Sequence, residues 1–381
     1  MVEKTISTYE KLVRDLQKKT HRLRADHPSS KDRMAFLRLS AAIYHLCPSK
    51  IADQDGFFRK VYYQEQLALI DRRTLPEIRQ KLTFTGAHEQ LRQAHTCGRI
   101  LVSFHYGSFF ASLAAFSAYE LQVMVGMAGE VYQKIKDDLA SDARKLANHD
   151  GSNFSLELLD LGAPMSIFRM VRKLRSGKDV FLFIDADSRQ RIDKSEQRKI
   201  RIPFLDGALL VSSGAAYLSY LTGAAIVPIL SPRIPNGQTQ VEFKEWIYPD
   251  TAVDAETFAG QTMQRLFMYL EKQVLKDPTQ WEGWLYIHNL VERRSQADWS
   301  YTEQQTSRDT DEYRVNQERY ALIAEKKDHY LFDRQQYRML WIPEALFGLL
   351  DDKSPQQSVI QADEPTMDFL FRNQILLPQK S

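Results

Sequence analysis

A chain of 381 residues, 43% hydrophobic and 26% charged, can bury a large core, which excludes wholesale disorder. Its formal charge of +2 gives no argument for nucleic acid, and no apolar run approaches the about 18 residues that a spanning helix needs. The two cysteines, Cys47 and Cys97, lack metal-ligand spacing, and so few thiols in so long a chain fit a reducing compartment. The opening Met1-Val2-Glu3-Lys4 is polar and unlike a signal peptide, so a cytoplasmic location is expected.

Residues 1–96 read as a helical region. Leu12, Leu16 and Leu23, then Phe36, Leu37, Leu39, Ile43 and Leu46 recur at three- and four-residue spacing among charged runs. Pro28, Pro48 and Pro76 divide it into several helices. From 97 to 294 the pattern changes to short β-rich apolar runs alternating with helical ones. Strands are expected at 99–104, 121–126, 155–159, 179–185 and 225–230, with helices at 108–120, 131–148, 164–176, 212–221 and 255–276. This alternation predicts an α/β fold with a mostly parallel central sheet flanked by helices. The polar stretch 295–316 reads as a linker. Residues 317–381 read as a small α+β module: a hairpin of 320–323 and 330–332 flanking the Glu-Lys-Lys-Asp turn 325–328, then helices at 335–350 and 364–373. That module is either a winged-helix-like unit gripping a partner or a cap on the enzyme body.

In sheets of this kind the ligand crevice lies beyond the strand C-termini. His105 directly follows the first strand of the 97–294 region, and Asp185 and Asp187 follow the fourth. The turn Tyr106-Gly107-Ser108 leads to a helix expected at Ser108, whose free amides would favour developing negative charge. A neutral imidazole there could take a proton from an attacking nucleophile while the amides hold the oxyanion. The bland alternative is a histidine that merely caps the turn, and for the two aspartates a strand-end cap.

Four further segments lie in order along the chain: Phe183-Ile184-Asp185-Ala186-Asp187, Ile202-Pro203-Phe204-Leu205-Asp206-Gly207-Ala208, Ser212-Ser213-Gly214 with Thr222-Gly223-Ala224, and Trp281-Glu282-Gly283-Trp284-Leu285-Tyr286-Ile287-His288-Asn289. In this order they resemble the lauroyl and myristoyl acyltransferases of lipid A biosynthesis, a branch of the lysophospholipid acyltransferase superfamily. The resemblance implies a glycerolipid acyltransferase-like fold and transfer of an acyl group from a thioester to a hydroxyl or amine. No bound cofactor is implied; the phosphopantetheine-linked donor, on an acyl or peptidyl carrier protein or coenzyme A, enters as substrate. It also implies a catalytic histidine with an acidic residue five positions later, where this chain has Phe110. Three readings follow. Asp185 or Asp187 orients His105 from another strand; His105 acts alone on an amine, which needs less help than an alcohol; or the fold serves as a non-catalytic platform.

Trp281, Trp284 and His288 enter as site neighbours through the resemblance, with core packing the plainer role for the tryptophans. Arg189 and Arg201 belong to a basic stretch, read as a mobile loop, that could meet the donor's phosphate or an acidic carrier surface. Ser212 and Ser213 open a helix suited to an anion or a carbonyl, and simple capping explains them equally well. The N-terminal helices are charged, so the acceptor is expected to be a small molecule, a peptide or a second carrier, as in specialised-metabolite biosynthesis. Peripheral contact with a membrane through amphipathic N-terminal helices is the other reading.

Overall fold

The computed structural model describes residues 7–21, 30–47, 51–93, 95–185, 199–235, 238–292, 313–325, 327–351 and 363–378. Four helices open the chain: α1 (Thr8–His21), α2 (Ser30–Leu46), α3 (Gln54–Arg73) and α4 (Leu75–Gln80). Asp53 caps α3 by accepting from the Gly56 amide. Pro76 sits in the first turn of α4, where a missing N–H costs nothing, so it starts a helix as well as ending one. Pro28 and Pro48 lie outside the described residues. The helical expectation fails at β1 (Leu82–Gly86), which pairs parallel to the last strand of the central sheet. Leu82 and Phe84 alternate with two threonines there, a short β pattern inside a charged region.

The α/β body follows in the expected alternation. It runs β2 (Ile100–Ser103), α5 (Ala111–Ala118), β3 (Gln122–Met127), α6 (Gly129–Asp150), β4 (Ser155–Asp160), α7 (Ser166–Arg175) and β5 (Asp179–Phe183). Next come β6 (Lys199–Phe204), β7 (Gly207–Ser212), α8 (Gly214–Thr222), β8 (Ile226–Leu230), β9 (Thr239–Phe243) and α9 (Ala255–Lys276). The seven-stranded sheet has the order β1-β9-β8-β2-β5-β3-β4. The five strands from β8 to β4 are parallel; β9 returns antiparallel to β8 and carries β1 at the edge. Every residue of β2 and β8 is buried, as strands covered on both faces must be. Alternation sends Ile100 and Val102 into one core with α2, α8 and α9, and Leu101 into a second with α5 and α6.

The hairpin β6–β7 corrects the mobile-loop reading for its last residues. Lys199 to Phe204 pair antiparallel with Gly207 to Ser212, and Ile202, Phe204 and Leu209 are buried.

After residue 292 the described chain resumes with β10 (Tyr313–Val315), β11 (Tyr320–Glu325), β12 (Asp328–Asp333), β13 (Arg338–Ile342), α10 (Glu344–Asp351), α11 (Glu364–Arg372) and β14 (Leu376–Pro378). The β11–β12 hairpin matches expectation, but the helix expected at 335–350 is a strand followed by a helix. Pro343 explains the division, because the residue before a proline is driven out of the helical region. Residues 313–315, expected as linker, pair with β14; 295–312 lie outside the described residues. This module has its own core around Tyr320, Leu331 and Leu370, while Ile323 and Phe332 pack on Leu37 and Ala41 of α2. Among the described residues no helix is long and apolar enough to cross a membrane.

Candidate active site

Strands β2 and β5 are parallel neighbours whose register pairs Ser103 with Phe183. Two residues further along each chain stand His105 and Asp185, side by side at the C-terminal edge of the sheet. The Asp185 carboxylate is fully buried. Its Oδ1 lies 2.8 Å from His105 Nδ1, and its Oδ2 accepts from the His105 amide at 3.0 Å and from Trp281 Nε1 at 3.0 Å. A carboxylate only accepts, so His105 Nδ1 carries the proton and Nε2 presents a lone pair. The ring stacks on Phe183 at 4.3 Å and meets Phe109 and Tyr286 edge-on at 4.9 and 5.7 Å. Its side chain remains 18% exposed, so the imidazole is reachable from solvent.

Carboxyl groups crowd the ring and act on its protonation. Burial pushes the His105 pKa down, but the Asp185 charge and hydrogen bond, with a contribution from Glu282, raise it overall. The Glu282 amide donates to the His105 carbonyl at 2.9 Å. Burial lifts the Glu282 carboxyl to about 8; the nearby His105 lowers it, while Glu65 on α3 and Asp185 raise it further. The Tyr286 hydroxyl is held well above its ordinary range by burial, Asp185, Glu282 and Glu65. It is shut off from solvent without a partner in good hydrogen-bonding geometry, although Asp185 is close enough to act on it.

The turn after His105 corrects the expectation of free amides. Helix α5 begins only at Ala111. The amide of Tyr106 donates to the Phe104 carbonyl at 2.7 Å, that of Gly107 to Gln280 at 2.9 Å, and that of Ser108 to Ser231 at 2.8 Å. All three are consumed in holding the turn. Gly107 has φ of +64°, and a Cβ there would lie 2.3 Å from the Ser231 carbonyl oxygen, so only glycine fits. The Tyr106 hydroxyl donates to the Gln273 and Asp277 carbonyls at 3.0 Å each. Ser108 Oγ donates to buried Asp71, which is also paired with Arg233. Tyr106, Gly107 and Ser108 therefore frame the site from behind and do not line it.

The other expected site residues divide. Trp281 is both core and site: it is buried, it donates to Asp185, and Phe204 backs its indole at 5.3 Å. Trp284 is core: Nε1 donates to the Pro278 carbonyl at 2.9 Å, and the ring packs on Trp281 and Phe57. His288 lies 5.4 Å from Tyr337 of the C-terminal module. Arg201 is engaged by Glu292, Nε to Oε2 at 2.8 Å. Gly207 packs against the His45 carbonyl of α2, and Ser212 Oγ accepts from the Gly214 amide at 3.4 Å. Ser213 is the buried residue before α8 and gives its helix no side-chain cap. Asp187 and Arg189 lie outside the described residues. Phe110, where the resembled family has its acid, is buried at the start of α5 and packs on Phe109.

Glu65, which acts on Glu282 and Tyr286, was not singled out from sequence, and neither were four neighbours of the ring: Phe109, Glu282, Tyr286 and Phe183. The last three lie inside segments quoted above for their family order, so position within those segments was the available signal. Glu65 is one more acid on a charged helix and carries no signal. Among the described residues no cluster of His, Cys, Asp and Glu is arranged to hold a metal ion.

Comparison with known proteins bears on this arrangement. Residues 64–292 match the family model of the bacterial lipid A biosynthesis acyltransferases. Among solved structures, the 1-acyl-sn-glycerophosphate acyltransferase PlsC of Thermotoga maritima is similar at 13% identity and a TM-score of 0.33, over 64% of this chain and 95% of that one. No curated protein sequence matches the chain. The family match spans β1 to β9, α9 and the Trp281 segment, and so contains the whole His105–Asp185 arrangement. The chain thus belongs to the bacterial lipid A biosynthesis acyltransferase family, whose general function is acyl transfer.

Proposed function

We propose that the protein moves an acyl group from a thioester, on a carrier protein or coenzyme A, to a hydroxyl or amine acceptor, with His105 as general base and Asp185 as its orienting partner. The observation that carries this reading is the 2.8 Å contact between His105 Nδ1 and a buried carboxylate fixed by two other donors. That contact holds the tautomer in which Nε2 is basic. His105 Nε2 takes the acceptor's proton as its oxygen or nitrogen attacks the thioester carbonyl. Asp185 stabilises the imidazolium so formed. The tetrahedral intermediate collapses, the C–S bond breaks, and the thiolate leaves with the proton from His105.

Asp185 fills the role left open by Phe110, which supports the first of the three readings of the missing dyad. It also removes the main reason to treat the fold as a passive platform, since a platform has no need of a tautomer-fixing carboxylate. With an oriented base, hydroxyl acceptors are as accessible as amines. A small-molecule or carrier-bound acceptor in specialised-metabolite assembly is supported by the charged helices α1 to α3. A lipid acceptor at a membrane surface is the second reading, and an exposed apolar tip on α7 favours it.

Incubation with acyl-carrier and acyl-coenzyme A thioesters, with His105→Ala as control, tests the proposal. The variant is expected to consume thioester about 10²–10⁴-fold more slowly. Equal consumption by both proteins would sink the assignment of the base.

A further inference from the structure

Helix α7 carries an apolar tip that stands exposed among the described residues. Met165 is 62% exposed, Ile167 60% and Phe168 65%. Its opposite face is ordinary core, with Met170 and Leu174 buried against the sheet. At 3.6 residues per turn, Phe168, Arg172 and Arg175 share the outward face, and both arginines are exposed. Arg169 and Lys173, on the flank, are paired with Glu157. The helix thus presents Phe168 and two exposed guanidinium groups along one outer face, with Ile167 exposed beside it in the first turn and Met165 just before the helix.

Two further observations give the tip a direction. Met165 sits at φ of +64°, a left-handed conformation that disfavours any residue with a Cβ, so a large apolar side chain is kept outward at a cost in backbone energy. The tip also stands at the end of the sheet that holds His105. Strand β4 runs parallel to β2 and β5, and the loop after its C-terminus leads directly into α7. Three strand spacings separate β4 from β2 in the order β2-β5-β3-β4, roughly 14 Å. The apolar tip and the reactive imidazole therefore open to the same side.

We infer that Met165, Ile167 and Phe168, with Arg172 and Arg175 behind them, form a docking surface for an anionic phospholipid membrane, holding the His105 edge of the sheet toward the bilayer. Contiguous large apolar side chains insert at the headgroup boundary, and neighbouring guanidinium groups meet lipid phosphates. The docking rests on the second reading above, acyl transfer to a lipid acceptor, and deepens it: it supplies a lipid-phase substrate to a body in which no described helix can cross a membrane.

Co-sedimentation of the full chain with vesicles of phosphatidylglycerol and phosphatidylcholine, against phosphatidylcholine alone, tests the inference. The protein is expected to bind the anionic vesicles, and Ile167→Asp/Phe168→Asp to lower partitioning about tenfold or more. Arg172→Glu/Arg175→Glu should lower it roughly fivefold for each charge removed and erase the preference for anionic lipid. Met165→Gly should also weaken binding while leaving the melting temperature unchanged or higher, because glycine accepts the left-handed conformation. Absence of wild-type binding, or variants that bind as the wild type does, would overturn the inference. So would loss of binding to an acidic carrier protein in the same variants while vesicle binding stays intact. Thioester turnover is measured on the same variants in vesicle-free solution, where it should equal the wild type. A failed docking surface is then told apart from failed chemistry.

Discussion

Asp185→Asn separates the orienting role of this side chain from its size. The two fixed donors, the His105 amide and Trp281 Nε1, both point at Oδ2. The asparagine carbonyl oxygen must take that position to satisfy them, which places the new NH₂ group where Oδ1 now faces His105 Nδ1. Donor then meets donor unless the imidazole shifts its proton to Nε2, and in that tautomer Nε2 cannot act as a base. The comparable exchange in a serine hydrolase triad costs about 10⁴ in rate, or roughly 5 kcal/mol of transition-state stabilisation. A fall of that order is expected for a hydroxyl acceptor, and a smaller one for an amine, which needs less deprotonation. A second readout comes from pH. Asp185 supplies the largest upward push on His105, and the base acts only when Nε2 is unprotonated. The wild-type rate should therefore climb with pH along a limb lying above the ordinary imidazole range, and the residual rate of the Asp185→Asn variant along a limb at lower pH. Thiol release followed across pH gives both readouts, and circular dichroism checks folding. A variant within about threefold of the wild type, with the limb unmoved, would refute the dyad.

Gly107→Ala should lower stability by about 2 kcal/mol or more, since the left-handed backbone alone costs about 1–2 kcal/mol and the new Cβ meets the Ser231 carbonyl; urea unfolding and thioester turnover should both fall. Asp179→Ala strands the buried Arg99 guanidinium, now held by Nη2 to Oδ2 at 2.7 Å and Nε to Oδ1 at 2.9 Å, and should cost about 3–5 kcal/mol in denaturant titration. Glu282→Gln tests the raised carboxyl. A folded-state pKa of about 8 means the native protein binds this proton more tightly than the unfolded chain, so stability is lost as pH climbs from the ordinary carboxylate range to about 8. The glutamine variant should match the wild type in melting temperature near pH 4 and exceed it near pH 9; a difference that does not depend on pH would contradict the assignment.

Much of the α/β body could be read from sequence because its buried strands carry their own signal. Ile100 to Ser103 and Ile226 to Leu230 are unbroken apolar runs, and α9 shows helical periodicity over its whole length. Edge elements were less legible. β1 is half-exposed and five residues long, too short for its alternation to stand out among charged helices. β13 does not stand apart from a helical pattern, because Met339, Leu340 and Ile342 also suit a helix and only Pro343 marks the break. At the site, His105 and Asp185 could be found because each follows a buried strand. Trp281 enters as a site neighbour only through the family resemblance, because an indole that both fills the core and donates to a buried carboxylate looks in sequence like any other core tryptophan. The engagement of the Gly107 and Ser108 amides is illegible for a related reason. Their partners, Gln280 and Ser231, come from far along the chain, and no local pattern announces them.

The register of β2 against β5 explains why an acid could move from the helix to the sheet. Arg99 and Asp179 stand 80 residues apart in sequence, and so do His105 and Asp185; both pairs are the same cross-strand partnership, read at the two ends of one pair of strands. The ion pair anchors the N-terminal end, where Asp179 also accepts from the Arg99 amide at 2.8 Å, and the dyad forms at the other. A slip of one residue would turn every side chain of β5 to the opposite face and carry Asp185 out of reach. In a dyad built along one helix, the distance between base and acid depends on that helix alone. Here it depends on strand pairing, which leaves Phe109 and Phe110 of the following turn available to pack the ring and the core instead of orienting the base. The coupling has a consequence that packing alone does not produce: relaxing the Arg99–Asp179 anchor, far from any substrate, should loosen the His105–Asp185 contact before the sheet unfolds. Thioester turnover in Asp179→Ala should then fall at temperatures where circular dichroism still reports a folded chain, whereas truncations of equal cost in the C-terminal module, such as Leu331→Ala, should lower the melting temperature and leave turnover below it intact.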